Sequence, residues 1–171
     1  MKMDYVVGLY NTLTNLGMKV WLDGGWGVDA LLGRQTRPHD DVDIVIEQKN
    51  VPKLRELLGK QGYTNVPRDD TSPWNFVLGD HAGHLVDVHA VVFDSDGNGL
   101  YGPLKNGIMY PVASFTGRGI IDRQEVRCIS PEHVVKFHTQ YAPDENDIKD
   151  VMAICDKFGI KYPVGYSLLK K

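Results

Sequence analysis

Cysteine is scarce in this chain of 171 residues, which holds only Cys128 and Cys155. Two thiols cannot frame a disulfide-stapled fold, so stability has to come from a buried core, and a chain of this length buries about 70% of its unfolded surface. Basic runs are missing as well: 19 Lys and Arg stand against 22 Asp and Glu, a net charge of −3. Nonspecific nucleic-acid binding needs a basic face, so no nucleic-acid partner is expected. No stretch reaches the ~18 uninterrupted apolar residues that read as a membrane span, and no membrane association is expected. A secretory signal, with its order of charged, apolar and small residues, is also lacking, so the expected setting is a reducing, cytoplasmic one. The depleted apolar content of a disordered chain is absent too, because 42% of residues are hydrophobic and 24% charged.

What is present reads as alternating helices and strands. Val6, Leu9, Tyr10, Leu13 and Leu16 recur at helical spacing over 4–16, with Gly17 as the stop. Val20-Trp21-Leu22 reads as a short strand, Asp23-Gly24-Gly25 as a tight turn, and Trp26 to Leu32 as a helix ended by Gly33. Val42 to Ile46 is the clearest strand, with Asp41, Asp43 and Val45 on the face opposite Val42, Ile44 and Ile46. A helix over about 51–60 follows, with Asn50 as its cap, and then strands at 74–78 and 85–93. The glycine-rich stretch 94–119 reads as loops, and 126–129 as a closing strand. Ser130-Pro131 opens a helix to about Tyr141, and Asp144 opens a last one with an apolar stripe of Ile148, Val151, Met152, Cys155 and Phe158. The fold class is α+β: a domain over 1–129 and a short C-terminal helical segment over 130–171 packed on it.

Asp41 and Asp43, at i and i+2 on one strand, aim two carboxylates at one side, with β-carbons roughly 6–7 Å apart. Such a pair on an apolar strand repels unless a cation neutralises it, and hard oxygen ligands suit magnesium. Asp87 adds a third acid from another strand, and the acids converge if the two strands are neighbours. His89 shares the Asp87 face. Gly24 and Gly25, between a strand and a helix start, can bring backbone amides close to an anion. Arg37 and His39 lead into Asp41, and Lys149 faces away from its helix's apolar stripe, so all three are candidates to meet a polyphosphate. Asp94-x-Asp96-x-Asn98-Gly99 imitates an EF-hand start, yet Lys105 occupies its twelfth position, so it reads as a turn. His39-Asp40 spells the dipeptide of the HD phosphohydrolases, whose ligands sit on helices, whereas here the neighbourhood is a strand.

Trp21-Leu22-Asp23-Gly24-Gly25-Trp26-Gly27-Val28-Asp29, then Arg37-Pro38-His39-Asp40-Asp41-Val42-Asp43-Ile44, then Leu85-Val86-Asp87-Val88-His89 together resemble the lincosamide nucleotidyltransferases. The aminoglycoside 2″-nucleotidyltransferases are similar too, and both groups belong to the polymerase-β-type nucleotidyltransferase superfamily. The likeness extends to Arg127-Cys128-Ile129-Ser130 and to 137–141. It implies the polymerase-β-type fold, a mixed sheet flanked by helices. It also implies a magnesium-dependent enzyme that transfers a nucleoside monophosphate from a triphosphate, ATP foremost, to a hydroxyl of a small antibiotic. A lincosamide is the first expectation for the acceptor and an aminoglycoside the alternative. In that scheme Asp41, Asp43 and Asp87 hold two magnesium ions, and Gly24, Gly25, Arg37, His39 and Lys149 attend the nucleotide. Asp87 is the first choice as base for the acceptor hydroxyl, with His89 second. Trp74 and Tyr101 would offer aromatic faces to a cationic drug. Two rival readings are a nucleotidyltransferase acting on a protein partner, as in toxin-antitoxin pairs, and a nucleotide-binding module without turnover. A homodimer stays open.

Overall fold

The computed structural model describes residues 1–166. The chain runs through α1 (Met3–Asn15), β1 (Val20–Asp23), α2 (Gly24–Leu32), β2 (Asp41–Glu47), α3 (Val51–Lys60), β3 (Thr64–Val66), β4 (Asn75–Gly79) and β5 (Leu85–Phe93). It continues through β6 (Gly99–Tyr101), β7 (Ile108–Tyr110), β8 (Gly117–Ile121), β9 (Gln124–Cys128), α4 (Pro131–Phe137) and α5 (Glu145–Phe158). The strands form one mixed sheet in the order β3-β4-β5-β2-β1-β9-β8, and the β6-β7 hairpin takes over from β4 along β5. The pairings β2-β5 and β1-β9 are parallel. This is the α+β, mixed-sheet architecture expected from the sequence.

The centre of the sheet is apolar because its strands are covered. Val42, Ile44, Val45 and Ile46 of β2 and Val86, Val88 and Val91 of β5 are all buried, and each such side chain contributes about 1.5–3 kcal/mol when fully removed from water. Of the expected α1 stripe, Val6, Leu9, Tyr10 and Leu13 are buried, whereas Leu16 lies just past the end of the helix and is exposed; on α3, Leu54 and Leu58 are buried. Helix α2 is buried from Trp26 to Leu31, since it is packed by β1, β2 and β8 together with α4 and α5. On α5 the buried stripe is Val151, Ile154 and Cys155, whereas Phe158 is 40% exposed at the helix end. Lys157 of α5 donates to the carbonyls of Leu31 and Leu32, closing the end of α2.

The structure departs from the sequence expectation in four places. Asn50 ends a 3-10 turn over Gln48–Asn50 and already has helical backbone angles, φ −88° and ψ −11°, and its side chain does not cap α3. Helix α4 stops at Phe137 rather than near Tyr141. The short, exposed β3 carries too little apolar pattern to be seen. The stretch 94–119, expected as loops, contains β6, β7 and the start of β8. In β8 burial alternates, but two of the inward positions are Gly117 and Gly119, so no hydrophobic alternation is visible. Those positions are glycine because of what they face: a Cβ on Gly119 would overlap Ala30 of α2, and one on Gly117 would press on the carbonyls of Cys128 and Ile129.

Overpacking of this kind typically costs about 1–3 kcal/mol. Gly119→Ala should therefore lower stability by that amount, read as a reduced urea midpoint with an unchanged slope. Gly8→Ala, with nothing near the added carbon, should not lower it.

Candidate active site

Three aspartates lie in register across three adjacent strands. Asp23 at the end of β1 is paired with Asp43 of β2, and Asp43 with Asp87 of β5. Neighbouring strands are about 4.8 Å apart, so the row places carboxylates on one side of the sheet with no room for bulk solvent between them. His89, two residues beyond Asp87 on the same face, has Nε2 3.6 Å from Asp87 Oδ1 and Nδ1 3.8 Å from Asp23 Oδ2. Asp41 lies two residues before Asp43 and is closest to Arg68, whose Nη2 is 3.8 Å from Asp41 Oδ2 and whose Nη1 is 2.9 Å from Asp87 Oδ2. Asp23, Gly24, Asp43, Asp87 and His89 form one side of a cavity of about 500 Å³. Its other walls are Asp70, Asn75, Tyr101, Ile108, Tyr110, Phe137, His138, Gln140 and Tyr141.

This crowding perturbs the charges. Asp43 is pushed up to about 7, first by loss of water around it and then by repulsion from Asp41. Burial also raises Asp87, against the attraction of His89 and Arg68. Burial opposes the charge on His89, but the carboxylates of Asp23, Asp43 and Asp87 outweigh it and bring the imidazole to about 9. At 3.8 Å the His89–Asp23 contact is an ion pair rather than a hydrogen bond, and Asp23 is held below the usual carboxylate range although burial pushes it the other way.

Asp23 also opens α2: its Oδ1 accepts from the Gly24 amide at 2.9 Å. Gly24 has φ +52°, and a Cβ there would overlap Asp43 Oδ2. A Cβ on Gly25 would overlap His39. The glycine pair thus lets the start of α2 close on two side chains of the neighbouring segment, a demand that a tight turn alone would not make. His39 is buried, with Nε2 2.5 Å from Asp29 Oδ2 and Nδ1 2.9 Å from Arg37 Nη1. Arg37 is held in turn by the buried Asp150 of α5 at 3.0 Å, and Asp29 also accepts from the amide and hydroxyl of Thr36. Lys149 is exposed, 3.8 Å from Glu145, and does not line the cavity; the α5 residue that reaches this region is its neighbour, Asp150. Of the two aromatic candidates, Tyr101 lines the cavity and Trp74 does not. Asp94 accepts from the amides of Asp96 and Asn98, as a turn between β5 and β6.

Sequence reasoning missed Asp23, Asp29, Asp150 and Arg68. Asp23 was legible as a helix cap, since aspartate before a Gly-Gly helix start is a standard N-cap. Arg68 carried no signal, because it stands on an irregular connection whose docking depends on the strand order.

The donor set fits a divalent ion. Asp43, Asp87 and His89 each offer one atom within 4.8 Å of the others. Asp87 Oδ1 and His89 Nδ1 are buried and make no hydrogen bond, and a buried carboxylate oxygen without a partner is costly unless a cation satisfies it. Two hard carboxylates suit magnesium.

The mixed sheet, with its acidic row beside a glycine-opened helix, has the fold of the nucleotidyltransferases. A family model for aminoglycoside-2″-adenylyltransferases matches residues 5–154, and the chain belongs to that family. It is 29% identical over 148 residues to a lincosamide resistance protein of Staphylococcus haemolyticus, covering 86% of this chain and 88% of that one. The lincomycin-bound crystal structure of the lincosamide antibiotic adenylyltransferase LnuA superposes with a TM-score of 0.80 at 25% identity, over 94% of this chain and 99% of that chain. ANT(2″)-Ia in complex with adenylyl-2″-tobramycin has the same fold, with a TM-score of 0.71 at 21% identity over 92% and 89%.

A raised carboxyl binds its proton more tightly in the folded chain, so its contribution to stability falls as pH rises from the unfolded value near 4 to the folded value of about 7. In the presence of EDTA, Asp43→Asn should therefore gain melting temperature over the unmodified protein as pH increases across that window, by a few degrees, and the gain should shrink to little at the acid end.

Proposed function

We propose that this protein transfers a nucleoside monophosphate from ATP to a hydroxyl of a lincosamide, with magnesium, and so confers resistance to the drug. The observation that carries the reading is the in-register row of Asp23, Asp43 and Asp87, which lines one cavity together with aromatic side chains. The lincosamide is favoured over other acceptors by similarity along most of the chain to a lincosamide resistance protein and by the LnuA likeness. An aminoglycoside 2″-hydroxyl is the second reading, favoured by the family model.

Asp41, Asp43 and Asp87 would hold the magnesium, with the His89 ring beside them. When bound, the ion supplies charge neutralisation at the triphosphate and lowers the pKa of an oxygen it touches. The chain's own residues do the rest. The start of α2 at Gly24 and Gly25 offers backbone amides to the phosphates, because helix N-termini carry unpaired N–H groups. Arg37, oriented by Asp150 and His39, adds positive charge on the side where pyrophosphate leaves; His39 acts on Arg37 as a positioning residue, and Lys149 is assigned an outer electrostatic part in nucleotide binding. The acceptor oxygen forms a bond to the α-phosphorus as the bond to pyrophosphate breaks. The hydroxyl proton passes to Asp87, whose Oδ1 is the buried carboxylate oxygen without a hydrogen bond. Tyr101, Tyr110, Phe137 and Tyr141 present aromatic faces, and Asp70 a carboxylate, to an acceptor that carries positive charge. Residues 1–129 form the nucleotidyltransferase unit in this reading, and 130–171 complete the acceptor wall and hold Arg37.

Pyrophosphate release from ATP, GTP, CTP and UTP with lincomycin, clindamycin, kanamycin and tobramycin tests the assignment. Release with ATP and the two lincosamides supports it, and release with tobramycin and kanamycin alone replaces it with the second reading. Asp43→Asn should abolish release in a folded protein, and Asp87→Asn should lower kcat by about 10²–10⁴-fold. Retained turnover in Asp43→Asn would remove the metal assignment.

A further inference from the structure

Arg68 stands on the connection between β3 and β4 and brings a cation against the same acidic row. Its Nη1 is 2.9 Å from Asp87 Oδ2 and its Nη2 3.8 Å from Asp41 Oδ2, two of the carboxylates assigned above to the metal. The segment that carries it is tied down locally. The Arg68 amide donates to Thr71 Oγ1 at 2.8 Å, the Thr71 amide to the Arg68 carbonyl at 3.1 Å, and the Ser72 amide to the Asn75 carbonyl at 2.7 Å. The backbone thus offers the guanidinium to the row, while the side chain remains 42% exposed and can leave without opening the core. A guanidinium and a divalent ion make the same demand on a carboxylate oxygen, because both need its lone pairs. One oxygen of Asp87 is engaged by Arg68 and the other has no hydrogen-bond partner.

We propose that Arg68 is the resident counter-cation of the metal-free site, closed on Asp87 and Asp41 when no divalent ion is bound and displaced from them when one arrives. It is a positioning residue: it keeps the carboxylates aimed at the cavity against their mutual repulsion and sets the metal concentration at which the site loads. The inference rests on the nucleotidyltransferase reading of these carboxylates and adds to it a competition between a side chain and the ion. A purely structural ion pair would stabilise the fold whether or not metal is present; a competing one stabilises only the metal-free protein.

The test uses the full chain, with Mn2+ as the probe ion followed by loss of its free electron paramagnetic resonance signal, and with melting measured in EDTA and in saturating Mn2+. Arg68→Gln should melt lower than the unmodified protein in EDTA, and Mn2+ should close the gap. Its Kd for Mn2+ should be several-fold tighter, with Arg68→Lys in between. In 15N-labelled protein the Arg68 Nε resonance should move on Mg2+ titration with the half-saturation of binding. Equal Mn2+ affinity in the unmodified protein and Arg68→Gln, or a melting deficit that metal leaves unchanged, overturns the inference. If Mn2+ binds the unmodified protein, fails to bind Asp43→Asn and is indifferent to Arg68, the carboxylate reading stands and the Arg68 inference alone falls. No Mn2+ binding by the unmodified protein sinks both.

Discussion

Repulsion among carboxylates placed side by side governs this molecule. Strand pairing aligns Asp23, Asp43 and Asp87, Asp41 adds a fourth charge on the same strand as Asp43, and burial of Asp43 weakens the screening among them. Each remaining feature of the site is an answer to that repulsion. Asp23 is drawn to the first amide of α2, Asp87 to Arg68, and the His89 ring stands between Asp23 and Asp87. These local charges compensate only in part, as the high Asp43 value shows. A carboxylate cluster that its own protein neutralises only in part has the chemistry to receive a cation, which would relieve the remaining repulsion.

The surrounding fold makes such a cluster tolerable. Strands β2 and β5 are apolar on both faces away from the row, so the charged ends are anchored by side chains that cannot shift without exposing the core. Helix α5 reaches back over α2, closing its end through Lys157 and holding Arg37 through Asp150. The C-terminal segment therefore acts here twice, once by holding Arg37 through α5 and once by supplying Phe137 of α4 and His138, Gln140 and Tyr141 of the connection after it to the cavity wall. None of the described helices is long and apolar enough to cross a membrane.

Most of the element pattern was legible because it was carried by local chemistry. The β2 alternation, the α1 stripe, the Gly33 stop and the Asp144 start of α5 each depend on neighbours within a few residues, and each is present. The failures have the opposite character. Strand β8 was hidden because Gly117 and Gly119 face a helix and a carbonyl pair that sequence periodicity cannot locate, and Asn50 looked like a cap only until the preceding 3-10 turn fixed its backbone. Gly24 and Gly25 read as a turn or an anion cradle, but their closest neighbours are Asp43 and His39, so a side chain at either position would have to displace them.

By itself the sequence determined the fold class, the two acids on one face of β2, a third acid with a histidine on β5, and the family to which the motifs belong. The elements and the acids' faces follow from residue type and from periods of two or three to four residues, which a linear chain displays openly, and the family from the resemblance of its motifs. The tertiary structure alone decided that Asp23 and Arg68 join the acids and that His39 and Arg37 are held by Asp29 and by Asp150 of α5. Each of these depends on strand order, register or the docking of a distant helix. A one-residue slip in register would have sent the same side chains to the other face of the sheet.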